Sequence, residues 1–239
     1  MYKFIYFAIA TCLLSSCIIT DDVEYEDLNN TSSGLLLYIT FDGQTAKDYS
    51  GHSYNGIAGG NNYVTNTPNG TGYAYNIVSA SDYVTIPYNP LKGRTEYTIS
   101  FWVRDPSQGL LINTYGNDTN NRYTNYPAIR VNDNKLYACF KSYSISSDYF
   151  NYDTSSVLQN GNWHHVVVTV TPYSQALYVN ASKAATQQAS VSESQSSEIH
   201  IGGALSDYTG AMMKIDNLRI YSRAITAEEI KLIYNEEGM

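Results

Sequence analysis

The amino-acid sequence predicts an all-β fold in which two antiparallel sheets form a sandwich, followed by one short C-terminal helix. From Gly34 to Asn235 the chain is a series of short runs rich in Val, Ile, Thr and Tyr, many of which alternate between apolar and polar residues. Such runs are typical of β-strands. Turn-forming pairs, among them Asp42-Gly43 and Asn160-Gly161, separate the runs. Many short strands separated by turns indicate a sandwich or a barrel.

Ten segments are predicted as strands. In chain order they are 35–41, 83–86, 98–103, 110–115, 128–131, 136–140, 166–170, 176–179, 199–201 and 213–221. No internal repeat and no change of composition divides this part of the chain, so we predict a single domain over residues 34–239. The Ser- and Gln-rich segment 190–197 is predicted to be a loop.

One helix is predicted near the end of the chain. Thr226 and Glu229 have the spacing of a capping box, in which Thr226 is the N-cap residue. Ile225 can pack on Ile230 as a hydrophobic staple, and Ile233 extends the same apolar stripe. We therefore expect a short helix that packs on the sandwich.

Charge and composition exclude several classes of protein. The chain has 239 residues, with 22 acidic and 14 basic side chains and a formal net charge of −8. An acidic chain without a cluster of Lys and Arg does not suit the phosphates of nucleic acids. No apolar run reaches the roughly 20 residues that a transmembrane helix requires. Only 15% of the residues are charged whereas 24 are Tyr, so we expect a hydroxyl-rich surface that suits neutral ligands.

The first residues have the pattern of a secretory signal. Lys3 precedes a short apolar run, and Leu14-Ser15-Ser16-Cys17 resembles a bacterial lipobox, in which cleavage precedes the Cys and the thiol is acylated. We therefore predict a signal peptide over residues 1–16 and lipidation of Cys17, where several acyl chains give a stable anchor. An ordinary signal peptide with a chance Cys is the alternative.

Residues 17–33 are predicted to be an acidic tether. Five acids fall within residues 21–27, and their mutual repulsion favours an extended chain. The segment resembles the acidic signals that send lipoproteins of Bacteroides-like bacteria to the cell surface. That resemblance implies a lipid-anchored protein of the outer membrane that faces the cell exterior. A plain solvated linker is the alternative.

Seven segments of the domain carry a resemblance to a known family. In order they are 34–43, 48–56, 81–87, 97–103, 162–168, 177–180 and 215–230. Together they resemble bacterial laminin-G-like domains of the concanavalin A-like lectin and glucanase type, which implies a jelly-roll sandwich. Asn180-Ala181 departs from the family, because Ala replaces the usual Gly of a tight turn and resists a positive φ.

The resemblance also implies a structural Ca²⁺ ion that joins the first strand and its loop to the last strand. Asp42, Asp48 and Asp216 are the acids at the matching positions. Calcium takes six to eight oxygen ligands, which include carboxylates and backbone carbonyls. In the alternative, Asp42 and Asp48 form Asx turns and Asp216 pairs with Lys214 or Arg219.

The sequence does not indicate an enzyme. Related glucanases carry a Glu-x-Asp-x-x-Glu strand with paired carboxylates, and this chain has no such strand. His164 and His165 are adjacent on a predicted strand and so point to opposite faces, which prevents them from binding one metal ion. We expect one of them, together with Trp163, to lie in the core. His52 and His200 lack any partner at a recognisable spacing.

Two Asn- and Tyr-rich stretches, 115–126 and 143–153, are the candidate ligand-binding segments. The candidate ligand-binding residues are Tyr115, Arg122, Tyr123, Tyr126, Tyr149 and Tyr152. Tyr rings stack on the apolar faces of sugars, and the polar side chains bond to hydroxyls. The same residue types also form protein-binding loops, and simple polar connections are the third reading. The two Trp residues, Trp102 and Trp163, are expected in the core, which counts against a strong glycan-binding module.

We expect a non-catalytic binding lipoprotein of the cell surface whose ligand is a carbohydrate. A module for protein interaction or adhesion is the alternative, and a cryptic glycoside hydrolase is a third reading. Fold analogy is a weak argument for function, so the ligand, glycan or protein, stays open at this point.

Overall fold

The computed structural model describes residues 30–115, 127–133, 135–140, 149–153, 158–188, 190–202, 204–205 and 208–238. For residues 115, 139, 149–153, 204–205 and 208–209 it describes the backbone alone. In chain order the strands are β1 (Leu35–Ile39), β2 (Ile57–Ala58), β3 (Tyr63–Val64), β4 (Ala74–Ile77), β5 (Tyr83–Ile86), β6 (Tyr97–Arg104), β7 (Gly109–Tyr115), β8 (Ala128–Asn132), β9 (Lys135–Cys139), β10 (Tyr149–Asp153), β11 (Trp163–Thr171), β12 (Ser174–Val179), β13 (Ser182–Gln188), β14 (Glu198–Gly202), β15 (Ala204–Leu205), β16 (Tyr208–Thr209) and β17 (Met213–Tyr221). The helix α1 spans Ala227–Glu237.

The strands form two large antiparallel sheets, as the sequence predicts. The eight-stranded sheet has the order β13-β12-β11-β6-β17-β4-β3, with β1 also paired to β17. The seven-stranded sheet has the order β10-β9-β8-β7-β14-β5-β2. A small third sheet joins β15 to β16. The jelly-roll sandwich and the single C-terminal helix are therefore confirmed.

The core lies between the two large sheets, because each strand directs alternate side chains inward. Ile99, Phe101 and Val103 of β6 lie on the inner face of their sheet, and Ile129 and Val131 of β8 lie on the inner face of the other. All five side chains are at most 1% exposed. The residues between them lie on the outer faces, which are the surfaces available for a helix or a ligand.

Helix α1 covers part of the outer face of the eight-stranded sheet. The Thr226 side chain accepts a hydrogen bond from the Glu229 backbone N–H, and the Glu229 side chain accepts from the Thr226 N–H, which confirms the predicted capping box. Ile230 and Ile233 are fully buried against Val167 and Tyr221 of the sheet. No helix in the described parts of the chain is both long and apolar enough to cross a membrane.

Seven of the strands in the described residues were not predicted from the sequence, and one of them changes a functional prediction. Residues 149–153 were expected to belong to a binding loop, but they form β10 at the edge of the seven-stranded sheet. Edge strand β13 was missed because Ser, Lys, Ala and Gln have low β-propensity. It forms because its backbone pairs with β12 along its whole length.

Candidate functional site

Three of the six predicted ligand-binding residues have a described backbone, and they belong to two strands of the seven-stranded sheet. Tyr115 ends β7, and Tyr149 begins β10. The register pairs Tyr149 with Cys139, whereas Tyr152 is paired with Leu136, which belongs to the core. Tyr149 and Tyr152 therefore lie at strand positions that belong to opposite faces of the sheet. Arg122, Tyr123, Tyr126 and the predicted lipidation site Cys17 lie outside the described residues.

The outer face of the same sheet carries a row of polar side chains that runs from strand to strand. The register places Thr85 of β5 beside His200 of β14, His200 beside Asn113 of β7, and Asn113 beside Ala128 of β8. Neighbouring strands lie about 4.8 Å apart, so these side chains are close neighbours on one face of the sheet. We call Thr85, His200, Asn113, Glu198, Arg130 and Tyr137 the polar row.

His200 connects a hydroxyl to a carboxylate. Its Nδ1 lies 3.2 Å from Thr85 Oγ1, and its Nε2 lies 2.8 Å from Glu198 Oε1. The His200 residue is 8% exposed, whereas the Glu198 side chain is 34% exposed and reaches solvent. Because Glu198 and His200 are two residues apart on one strand, they share a face. That spacing is the sequence signal for the pair. The expectation that His200 lacks a partner at a recognisable spacing is therefore corrected.

Asn113 is a buried amide that bonds to none of the residues that the structure describes. The residue is 1% exposed, and within the described parts of the chain neither its Oδ1 nor its Nδ2 makes a hydrogen bond. A buried polar group left unpaired costs about 1–3 kcal/mol of stability. Sequence inspection could not identify this residue, because its burial on an outer face depends on what surrounds it in the folded protein.

Arg130 and Tyr137 lie next to each other on the same face. The register pairs them across β8 and β9, and the Arg130 guanidinium carbon lies 5.2 Å from the centre of the Tyr137 ring. Both residues are partly exposed. The polar row therefore combines an aromatic ring, a cation, an amide, a hydroxyl and an imidazole–carboxylate pair. This is a set of hydrogen-bond donors and acceptors for a ligand rich in hydroxyl groups.

The three candidate calcium ligands do not come together as one group. Among the described residues no three His, Cys, Asp or Glu side chains are placed to hold a metal ion together. Asp48 is engaged by its own loop, because its carboxylate accepts hydrogen bonds from the backbone N–H groups of Tyr38, Ser50 and Tyr54 and from the Ser50 hydroxyl. The bond from Ser50 is the Asx turn of the alternative reading.

Asp216 is buried, and Asp42 lies near enough to influence its charge. Burial raises the pKa of Asp216 to about 9, and the negative charge of Asp42 contributes to the rise. Asp216 accepts one hydrogen bond, from the Asn217 N–H at 2.8 Å. Gly72 has a φ of +72°, and a Cβ built there would lie 1.7 Å from Asp42 Oδ1, so only glycine allows this close approach.

The two adjacent histidines are both buried, and Trp163 is not in the core. His164 and His165 are 5% and 0% exposed, so one histidine is buried as expected and the other is buried as well. His165 Nε2 lies 2.8 Å from Ser100 Oγ under the helix. Trp163 is only half-buried, because it lies on the outer face at the start of β11, opposite Arg104. The expectation that it packs in the core is therefore corrected, whereas Trp102 is buried as expected.

Solved structures with a similar fold include binding domains of botulinum neurotoxins and of a mosquitocidal protein. The binding domain of botulinum neurotoxin DC in complex with SialylT has a TM-score of 0.67 and 18% sequence identity, and the match covers 86% of this chain and 51% of that chain. The same domain in complex with rat synaptotagmin II has a TM-score of 0.67 at 17% identity, with 86% and 52% covered. The binding domain of Paraclostridial Mosquitocidal Protein 1 has a TM-score of 0.61 at 16% identity, with 86% and 53% covered.

These similarities concern the fold, and the chain spans about half the length of the domains it matches. No curated protein matches the sequence. A family model described as concanavalin A-like lectin/glucanases superfamily matches residues 78–231, which is more than half of the chain and runs from the end of β4 into α1. This chain therefore belongs to the concanavalin A-like lectin/glucanase superfamily, as a laminin-G-like domain.

Proposed function

We propose that this chain is a non-catalytic carbohydrate-binding module that holds a saccharide on the polar row of the seven-stranded sheet. The observation that carries the proposal is Asn113, whose buried amide makes no hydrogen bond to any described residue. Almost all buried polar groups in folded proteins are hydrogen-bonded, so an exception calls for a reason. A ligand whose hydroxyl groups bond to this amide supplies one.

The chemistry of the row suits a sugar. The Asn113 amide offers two donors and one acceptor, and each sugar hydroxyl can both donate and accept. Glu198 accepts hydrogen bonds from hydroxyls, while Arg130 donates them. The Tyr137 ring provides an apolar surface beside these groups. The backbone register pairs Tyr115 with Glu198, so the first predicted binding segment begins beside this row.

The similar structures support a binding role without identifying its ligand. One similar domain is described in complex with SialylT, which fits a carbohydrate. A protein is the second candidate ligand, because the same toxin domain is also described in complex with rat synaptotagmin II. In both complexes the match covers only about half of the toxin domain, so the ligands of that domain serve here only as support for the proposal.

The cellular setting is also part of the proposal. We infer that Cys17 is acylated after removal of residues 1–16 and that residues 17–33 act as an acidic tether. The domain then faces the cell exterior from the outer membrane. The lipobox-like Leu14-Ser15-Ser16-Cys17 and the five acids of residues 21–27 support this inference.

A glycan array with the purified protein tests the function, and Asn113→Leu tests the site. Leu is close to Asn in shape and removes the unpaired polar atoms, so the variant is expected to lose saccharide binding without a decrease in its free energy of unfolding. Asn61→Leu is the matched control, because Asn61 is exposed in the loop before β3. If the unmodified protein shows no saturable binding to any glycan, the proposal that its ligand is a carbohydrate is refuted. Capture of a surface protein instead would favour the second candidate, a protein ligand. Binding that survives in Asn113→Leu would refute the polar row as the site.

A further inference from the structure

A second candidate site lies on the opposite sheet of the sandwich. An open groove of about 200 Å³ is found where β4 and β6 end and β17 begins. Arg104, Lys214 and Asn76 line it, and the register makes them neighbours across β6, β17 and β4. The groove lies on the eight-stranded sheet, so it is separate from the polar row.

The groove concentrates positive charge on an acidic protein. Lys214 and Arg104 lie directly opposite each other on neighbouring strands, an arrangement in which like charges repel. Arg104 is partly neutralised, since its Nε lies 3.5 Å from Asp105 Oδ2. The Lys214 ammonium has no hydrogen bond or ion pair with any described residue. The two cations and one acid leave a net charge of about +1, whereas the chain as a whole has −8. An anion bound between Lys214 and Arg104 would relieve their repulsion.

An aromatic ring continues the row beyond Arg104. Trp163 of β11 is paired with Arg104 in the register, and its ring is half-buried. Its Nε1 donates to Asn66 Oδ1 at 3.2 Å, and the Arg104 Nη1 donates to the same oxygen at 2.7 Å. Asn66 thus holds the indole and the guanidinium next to each other. A flat aromatic surface beside cations can contact the apolar face of a sugar and its charged group together.

The rim of the groove is apolar. Val78 and Met212 are 53% and 52% exposed, so each presents a large part of its side chain to solvent. The C–H groups of a pyranose ring can pack on such side chains, whereas a free inorganic anion would gain nothing from them. The combination therefore favours an anionic group that is attached to a sugar.

We propose that this groove binds an anionic saccharide. The carboxylate or sulfate group lies between Lys214 and Arg104, and the sugar rings extend over Trp163 and the Val78–Met212 rim. The proposal goes beyond the function proposed above and does not rest on it, because it concerns another sheet and another class of sugar. It gives the module one surface for neutral saccharides and one for charged saccharides.

Titration calorimetry with three probes tests this proposal. The probes are an oligogalacturonate, the same oligosaccharide with its carboxyl groups reduced, and a sulfated chondroitin oligosaccharide. We expect one or both anionic probes to bind, the reduced probe to bind at least about fivefold more weakly, and the affinity to fall as salt is added. A reduced probe that binds equally well would overturn the proposal, and so would the failure of both anionic probes to bind.

Variants then locate the site. Lys214→Gln is expected to lower the affinity for the anionic probe about fivefold. Trp163→Phe is expected to lower the same affinity, because the phenyl ring offers less surface than the indole. Lys183→Gln is the matched control, because it removes the same charge from β13 at the far edge of the sheet. If Lys214→Gln and Lys183→Gln change the affinity equally, the groove is refuted as the binding site. Asn113→Leu should leave this binding unchanged, which separates the outcome from that of the polar row.

Discussion

Arg219 of β17 and Glu237 at the end of α1 form a buried ion pair. The Arg219 Nη2 lies 2.6 Å from Glu237 Oε1, and the two side chains are 10% and 6% exposed. Trp102 Nε1 donates to the other carboxylate oxygen at 2.8 Å. The Arg219 guanidinium also lies over the Tyr38 ring, with its carbon 3.9 Å from the ring centre. The pair thus ties the last helix to three strands of the eight-stranded sheet.

We predict that Glu237→Gln strongly destabilises the protein. The substitution leaves the Arg219 charge buried without its counter-ion, and breaking one side of a buried pair costs about 3–5 kcal/mol. Urea unfolding measures the loss. Glu236→Gln is the control, because Glu236 is exposed one residue earlier and its removal should have little effect. Equal losses for the two variants would show that the ion pair does not hold the helix.

We predict that His165 makes the protein less stable in acid. Burial, together with the charge of Arg219, lowers the pKa of His165 to about 3, and its usual value is 6.5. As the pH falls from 6.5 towards 3, the unfolded chain takes up a proton that the folded protein does not, so the free energy of unfolding decreases. His165→Asn should remove this contribution.

The variant isolates His165 from its neighbours. Glu237, on the helix above, has a pKa raised by burial, so it affects stability in the opposite direction over part of the acidic range. The quantity to compare is the change in the free energy of unfolding between about pH 7 and pH 4, in the unmodified protein and in His165→Asn. The same change in both proteins would contradict the prediction.

We predict that Ala181→Gly stabilises the hairpin between β12 and β13. Asn180 and Ala181 have φ values of +51° and +59°, the positive region that a tight hairpin turn requires. A non-glycine residue in this region costs roughly 1–2 kcal/mol, so Gly should raise the free energy of unfolding by about 1 kcal/mol. Ala185→Gly, within β13, should instead lower it. A loss of stability in Ala181→Gly would show that the turn is not strained.

We predict that Ca²⁺ raises the melting temperature and that a chelator lowers it. A ligand that binds only the folded state stabilises that state, and a cation would favour the ionised form of Asp216 beside Asp42. Asp216→Asn should abolish the shift, whereas the exposed Asp133→Asn should retain it. An unchanged melting temperature in the unmodified protein would count against calcium, which stays a prediction until this measurement.

The sequence predicted the elements whose local pattern and tertiary context agree. β17 was predicted at its observed bounds because it carries a continuous apolar pattern. The start of α1 was predicted from its capping box. β13 could not be predicted, since its pairing with β12 and not its composition makes it a strand. The same holds for β10, whose polar and aromatic residues suit a loop or an edge strand equally.

The candidate sites were less predictable than the fold. Glu198 and His200 could have been recognised from their spacing once residues 198–202 were taken as one strand. Asn113 and Lys214 could not, because their neighbours come from strands that are distant in sequence. Trp163 was expected in the core because it begins an apolar strand, yet the position lies beyond the area that α1 covers.

The central position of β17 has a consequence for how the protein is made. Residues 213–221 leave the ribosome after all the other strands, yet they fill the space between β6 on one side and β1 and β4 on the other. Until they arrive, these three strands have backbone edges open to pairing with other chains. The sheet therefore closes only after synthesis is nearly complete.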